Sequence, residues 1–283
     1  MPVFRGGVPG AQASRFYAAA MTAETGTPVP HLTLRFHGDL KDLVRGAESR
    51  SAAVHYALTR TASIKDIIES LGIPHTEVGS ISGADGDIDF AAIPQPGERL
   101  EILPITGESL PIEPSVLRPA PLSSYRFLVD INAARLAALL RMAGFDTASV
   151  QELRLGTKQE IADAAGREAL ILLSRDRDLL KLRSVVHGRL LREQHPYRQL
   201  AEIVDLYRLA PLARPFTRCM KCNHLLAPVA KAAIIDRLEP LTKKYYDDFS
   251  CCSSCASIYW RGSHYRKMID ILKAGAIDDS VFS

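Results

Sequence analysis

At 283 residues the chain has room for two ordinary domains or one large one, and 47% hydrophobic with 24% charged residues describes a globular protein in water. No apolar run approaches the length needed to cross a membrane, which sets aside a membrane-spanning role. The net charge of +3 conceals an asymmetry: residues 1–120 hold 10 Lys+Arg against 14 Asp+Glu, whereas residues 121–283 hold 25 against 18. The basic excess lies in the second half, as in a nucleic-acid-facing domain beside a neutral or acidic one.

Residues 1–30 are rich in Gly, Ala, Pro and Thr without hydrophobic periodicity and are expected to be disordered. The segment is poor in acids and carries two early arginines, which fits either a transit peptide or a start at Met21. From His31 a compact unit begins. Leu32, Leu34 and Phe36 alternate as a strand, and a second strand is expected around Ala53–Leu58. Ser63 is placed to cap a helix whose stripe is Ile64, Ile67, Ile68 and Leu71, stopped by Gly72. Glu77–Ile81 and Glu98–Leu103 read as two further strands, with Gly- and Pro-rich turns between them. This order over 31–107 resembles the ubiquitin-like β-grasp fold of the thiamine and molybdopterin sulfur carriers. The end of the unit runs Pro104-Ile105-Thr106-Gly107-Glu108 and continues into more chain, so there is no free diglycine tail. An interaction role with a protein partner is expected instead of sulfur transfer.

Residues 108–124 contain Pro111, Pro114, Pro119 and Pro121 and read as a stiff linker. Residues 125–283 are expected to form the second domain. Arg126-Phe127-Leu128-Val129-Asp130 is an apolar strand ending in an aspartate. Ala133–Ala143 follows as a helix closed by Gly144, and Thr157-Lys158-Gln159-Glu160 starts another through Ala165. Ile171-Leu172-Leu173-Ser174 is a buried-strand pattern that runs into Arg175-Asp176-Arg177-Asp178. Strand, helix, helix, strand with aspartates at the strand ends is an α/β pattern. In open α/β sheets chemistry gathers at the carboxyl edge, and Asp130, Asp176 and Asp178 brought to one edge would suit Mg²⁺ or Mn²⁺ and phosphate chemistry. Each aspartate also precedes a helical pattern, so capping is an equally valid reason for its presence. From Arg175 to Arg218 there are 10 Lys+Arg against 5 Asp+Glu, partly the wet face of an amphipathic helix over Tyr197–Leu209 and partly available to RNA or DNA.

All five cysteines lie between 219 and 255, and no secretory signal precedes them. That clustering predicts a metal site in a reducing cytoplasm, not a disulfide framework. Cys219-x-x-Cys222 and Cys252-x-x-Cys255 are two knuckles with 29 residues between them. Four thiolates at about 2.3 Å close a tetrahedron around Zn²⁺ and leave no open position, so this zinc is structural. Cys251 competes with Cys252 on spacing alone, and His224 lies near. Beyond the knuckles, Tyr259-Trp260-Arg261-Gly262-Ser263-His264-Tyr265 is an aromatic strand edge turning into a helix capped by Ser263. Trp260 is expected to pack, with Arg261 and His264 left open to nucleic acid.

Phe127-Leu128-Val129-Asp130, Arg135-Leu136-Ala137, Leu140-Arg141-Met142-Ala143-Gly144-Phe145-Asp146-Thr147, Leu172-Leu173-Ser174-Arg175-Asp176, Arg218-Cys219-x-x-Cys222-Asn223 and Tyr259-Trp260-x-Gly262-Ser263-His264 occur in that order. Together they resemble the PIN-fold ribonuclease domain with a C-terminal zinc ribbon named after the Mut-seven exonuclease C-terminus, over about residues 125–272. The implied fold is α/β: a PIN-like three-layer domain with a zinc ribbon at about 216–262, preceded by a small α+β β-grasp domain. The resemblance implies metal-dependent hydrolysis of RNA, with Asp130 and Asp176 holding Mg²⁺ or Mn²⁺ and Asp178 supporting them. On their own basic and aromatic context, Arg175, Arg177, Arg261 and His264 are expected to contact substrate. Relatives bring another acid from the helix before the last strand. Lys158 stands at about that place here, leaving Glu160 or Asp163 as substitutes, and Glu160 also fits a capping box with Thr157. The alternative function is a non-catalytic RNA-binding or adaptor protein.

Overall fold

The structure, a computed structural model, describes residues 29–45, 53–107 and 111–277. The expected disorder of residues 1–30 falls almost wholly outside that range, as do the first three residues of the expected linker. No helix among the described residues is long and apolar enough to cross a membrane.

The N-terminal unit contains β1 (His31–Phe36), β2 (Val54–Ala57), β3 (Val78–Gly83), β4 (Gly86–Asp87) and β5 (Arg99–Pro104), with α1 (Ile64–Ser70) before β3. The strand order is β2-β1-β5-β3-β4, with β1 and β5 parallel and the other pairs antiparallel, which is the β-grasp arrangement. Alternation in β1 buries Leu32, Leu34 and Phe36 on one face. Ser63 caps α1 as expected, its Oγ accepting from the Asp66 N–H at 3.2 Å.

The second unit is built on a wholly parallel sheet of β6 (Arg126–Val129), β7 (Asp146–Ser149), β8 (Ile171–Ser174) and β9 (Gly188–Leu190), in the order β7-β6-β8-β9. The helices are α2 (Ala134–Met142), α3 (Lys158–Arg167), the short α4 (Arg177–Leu180) and α5 (Pro196–Leu206). Sequence periodicity missed β7 and β9. Asp146-Thr147-Ala148-Ser149 is short and polar, and Gly188-Arg189-Leu190 lies inside a basic stretch, so neither carries the apolar run that marks β6 and β8.

Both faces of the sheet are covered, which explains why β6 and β8 are apolar at consecutive positions. Phe127, Val129, Ile171 and Leu173 pack with α2 and α5, while Leu128 and Leu172 pack with α3 and α4. The second of these cores runs on without a break into the core of the N-terminal sheet. Gly144 closes α2 at φ +96°, where any Cβ would collide with the Arg214 carbonyl oxygen.

Polar contacts reinforce the seam between the two units. Glu77, whose side chain is fully buried, accepts from Arg189 Nη1 at 2.8 Å, Arg192 Nη2 at 3.1 Å and the Leu190 N–H at 2.7 Å. Arg118 lies in the proline-rich connection, yet it is buried and donates to the carbonyls of Val78, His75 and Val186. Residues 111–124 thus wedge between the units while forming no regular element of their own.

His187 lies in this seam and is 6% exposed. Burial, helped by the Arg118 guanidinium, pulls its pKa down to about 4. Burial likewise lowers His75, against the pull of Glu69. Unfolding returns such groups to about 6.5, so below that pH the unfolded chain binds more protons and stability falls toward pH 4. A loss of about 2 kcal/mol from His187 across this window is expected in urea unfolding, with a shallower pH slope in His187→Gln. An identical slope in that variant would show that His187 is not held neutral by burial.

The third sheet is antiparallel: β10 (Leu226–Val229), β11 (Phe249–Cys252) and β12 (Ile258–Trp260), with α6 (Lys231–Ile234) and α7 (Pro240–Tyr245) between β10 and β11. The closing helix α8 (Tyr265–Ala274) returns to pack on α5. Its N-cap is His264 with no side-chain capping bond, not Ser263.

Candidate functional site

The chain leaves β6 through α2 to reach β7 on one side, and leaves β8 through α4 to reach β9 on the other. The carboxyl ends of β6 and β8 are adjacent, so they frame the crevice where connections diverge, the usual ligand position in open parallel sheets. Asp130 and Asp176 sit at that crevice.

Two polar residues overlooked in the sequence tie these ends together. Ser174 Oγ donates to Asp130 Oδ2 at 2.6 Å and accepts the Asp176 N–H at 2.9 Å. Asn132 donates to Asp130 Oδ2 at 2.7 Å and accepts the Arg175 N–H at 3.1 Å. Their only sequence signal is position, each lying two residues from an aspartate at a strand end. Asp130 is buried, Asp176 is partly buried and Asp178 is exposed.

Capping and site geometry turn out to be compatible. Asp130 Oδ1 accepts the Ile131 N–H, and Asp176 Oδ1 accepts the N–H groups of Asp178 and Leu179 at the start of α4. The other oxygen of Asp176 meets Lys158 Nζ at 2.7 Å. Burial pushes the Asp176 carboxyl up, but Lys158 and the two backbone N–H groups outweigh it and hold the pKa below the usual range. Lys158 is raised in turn, first by its hydrogen bond to Asp176 and then by the charges of Asp176, Asp178 and Asp130.

The other expected acids do not join this group. Glu160 completes a capping box with Thr157, its Oε2 accepting from the Gly156 and Thr157 N–H groups. Asp163 accepts from Ser184 and Gln159. Among the expected cations, Arg175 is exposed beside the aspartates, whereas Arg177 turns away and donates to the Leu43 carbonyl of the N-terminal unit at 2.9 Å. A main-chain acceptor across the seam thus engages Nη1 of its guanidinium.

Arg261 and His264 lie elsewhere, on a groove of about 970 Å³ that also takes in Phe216, Trp260 and Tyr265 and none of the three aspartates. Arg261 stacks over Tyr265 at 5.4 Å from the ring centre. Trp260 approaches Phe249 but stays 41% exposed, so its packing is partial.

The four sulfurs of Cys219, Cys222, Cys252 and Cys255 lie within 4.8 Å of one another, as a tetrahedral ion such as zinc requires. Cys251 points out of the cluster toward the Cys252 carbonyl, and His224 contacts the Cys222 carbonyl and is exposed. The two knuckles share one backbone design. Cys219 N–H donates to His224 O and Asn223 N–H to Cys219 O, while Cys252 N–H donates to Ser257 O and Ala256 N–H to Cys252 O. Asn223 and Ala256 both take positive φ, at 69° and 57°. Sulfurs converge because both turns present them in the same way.

The first knuckle is fastened to the outer edge of β7. Asn223 accepts the Thr147 N–H at 3.1 Å and donates to Asp146 at 2.7 Å. Arg141, 1% exposed, donates to Thr147 O, to the carbonyls of Met220 and Lys221, and bidentately to Glu152. These side chains satisfy the free edge of the parallel sheet and protect it from pairing.

A family profile described as the Mut7-C RNAse domain matches residues 125–272, just over half of the chain. The chain belongs to this family. A second profile, described as Mut7-C ubiquitin, matches residues 29–109 and so takes in the whole β-grasp sheet. No curated protein and no solved structure matches. The Mut7-C RNAse match spans both candidate centres, the strand-end aspartates and the cysteine cluster.

Proposed function

We propose that the protein is a metal-dependent ribonuclease that hydrolyses RNA phosphodiester bonds at Asp130 and Asp176, with Asp178 in support. The observation that carries this reading is the pair of aspartates joined through Ser174 at the divergence of the parallel sheet, within a Mut7-C RNAse match. The donor set suits a hard cation: a positive group, the Lys158 ammonium, already rests against Asp176 and feels the charges of Asp178 and Asp130. Mg²⁺ or Mn²⁺ bound there would lower the pKa of water and stabilise charge on the scissile phosphate. Ser174 and Asn132 orient Asp130, and the α4 N–H groups orient Asp176, so both carboxylates are held before substrate arrives. Arg175 offers a contact to the RNA backbone beside the aspartates. Arg261 and His264 offer a second contact on the aromatic groove.

The cysteine cluster is proposed to hold a structural Zn²⁺ that secures the ribbon against β7. One zinc per chain is expected by elemental analysis, and Cys222→Ser is expected to lose it and to render the ribbon sensitive to protease. Full zinc content in that variant would reject the four-thiolate site. Free thiols as metal ligands point to a reducing compartment such as the cytoplasm. The domains are proposed to be a β-grasp unit at 31–107, a connection at 108–124 and the nuclease unit with its ribbon from 125 onward. The β-grasp unit is proposed to recruit a protein partner through the surface it does not bury in the seam.

The test is cleavage of labelled single-stranded RNA by the full chain, with Mn²⁺ against EDTA. Metal-dependent cleavage is expected. Salt-sensitive RNA binding without turnover on several substrates would reject the enzyme. One observation favours that second reading, a non-catalytic RNA-binding or adaptor protein: Lys158 pairs with Asp176, at about the place where the family resemblance leads one to expect an acid.

A further inference from the structure

Lys158 is the first residue of α3, where a backbone N–H has no intrahelical partner and the side chain is free to leave the helix. Its ammonium sits 2.7 Å from Asp176 Oδ2, while 53% of the side chain is exposed. Among the described residues, Asp176 otherwise accepts from two backbone N–H groups, both on Oδ1. The oxygen left for a metal is therefore the one that Lys158 occupies. A divalent ion on that oxygen would lie within a few ångströms of the ammonium, and like charges at that range repel even in water.

The pair is also easy to break. An exposed Lys–Asp bridge gains little in water, and the four-carbon stem lets the ammonium move without disturbing α3. An RNA phosphate offers it an alternative partner, whose single charge is spread over two non-bridging oxygens, whereas Asp176 already shares its charge with two backbone N–H groups. Arg175, exposed on the link between β8 and α4, lies where such a phosphate would approach.

We propose that Lys158 is a displaceable cation that keeps divalent metal off Asp176 until a phosphate of bound RNA draws its ammonium away, so that RNA and metal load the site together. This rests on the reading of the aspartates as a nuclease centre. Linkage makes the coupling reciprocal: RNA tightens metal binding by the same factor that metal tightens RNA binding.

The experiment titrates Mn²⁺ into the zinc-loaded full chain and follows free Mn²⁺ by electron paramagnetic resonance at fixed ionic strength. Wild type and Lys158→Gln are compared with and without a hydrolysis-resistant phosphorothioate RNA strand, after subtraction of Mn²⁺ bound by the strand alone. In wild type, RNA is expected to tighten Mn²⁺ binding about tenfold. In Lys158→Gln, Mn²⁺ is expected to bind about tenfold more tightly than in wild type without RNA, and adding RNA is expected to change little. Lys158 is exposed, so the variant is expected to keep the wild-type melting temperature.

Equal Mn²⁺ affinity in the two proteins, or equal tightening by RNA, would overturn the proposal. If wild type still cleaves RNA with Mn²⁺ in that case, the nuclease reading stands and only the role of Lys158 falls. If neither protein binds Mn²⁺ even with RNA present, both fall.

Discussion

Asp176→Asn is expected to reduce Mn²⁺-dependent RNA cleavage on the order of a hundredfold or more, while leaving the fold and RNA binding largely intact. The substitution separates two jobs that one carboxylate performs. Oδ1 caps α4 through the N–H groups of Asp178 and Leu179, and Oδ2 faces Lys158 and the crevice. Asparagine caps helices about as well as aspartate, so its amide oxygen can take over the first job. It brings no negative charge and cannot perform the second. Asp176→Ala removes both and is expected to cost about 1 kcal/mol of stability as well. The two variants should thus melt differently yet be equally inactive. Cleavage by Asp176→Asn at the wild-type rate would remove Asp176 from the chemistry. Asp130 is less suited to this test, because it is buried and receives hydrogen bonds from Ser174, Asn132 and Ile131. Its replacement would disturb the links between the strand ends.

Glu77→Ala is expected to destabilise the whole chain by about 3–5 kcal/mol. Its carboxylate is fully buried and receives two arginines and the Leu190 N–H, so its removal strands that buried N–H and leaves Glu202 as the one well-shielded carboxylate on Arg189. Glu202 and Asp39 remain near Arg189, but Asp39 is 39% exposed and water screens it. Asp39→Ala is accordingly expected to cost under about 1 kcal/mol. Urea unfolding of the two variants measures the contrast. Equal losses would mean that the seam is wet and that Glu77 is not its anchor. The seam bears on the candidate site as well. Arg177, beside Asp176, donates to Leu43, and Lys181 at the end of α4 donates to the Glu69 carbonyl. The β-grasp unit therefore braces the helix that Asp176 caps.

That bracing qualifies the expectation of a recruitment module. The 3₁₀ segments Gly38–Leu43 and His75–Glu77 face the second unit, so the surface left for the proposed partner is the rest of the sheet, such as the edge strands β2 and β4. Arg118 closes the same seam from the connecting segment, where it is held by three carbonyls and, among the described residues, by no ion pair. Burial lowers its pKa to about 10, which still leaves it charged at neutral pH.

Features encoded within a few residues were legible in the sequence. The apolar runs ending at Asp130 and Asp176, the Ser63 cap, the Thr157–Glu160 capping box and the paired Cys-x-x-Cys turns each depend on neighbours along the chain. Period, cap and knuckle spacing report local backbone geometry directly, so they survive without knowledge of the fold. The β-grasp order was legible for the same reason, since its strands alternate and its turns are marked by glycine and proline.

Partnerships between distant residues were settled only by the tertiary structure. Arg177 finds a carbonyl at Leu43, Arg189 a carboxylate at Glu77, and Arg141 the carbonyls of a zinc knuckle some 80 residues away. A charged side chain looks the same in sequence whether it faces water, substrate or a buried acceptor, because burial is a property of the assembled layers. The short strand β7 exists because β6 and the cysteine ribbon supply partners on either side, not because of its own composition. Lys158 shows the difference most sharply. In sequence it is one cation at the start of a capped helix, and only the folded chain brings its ammonium onto Asp176.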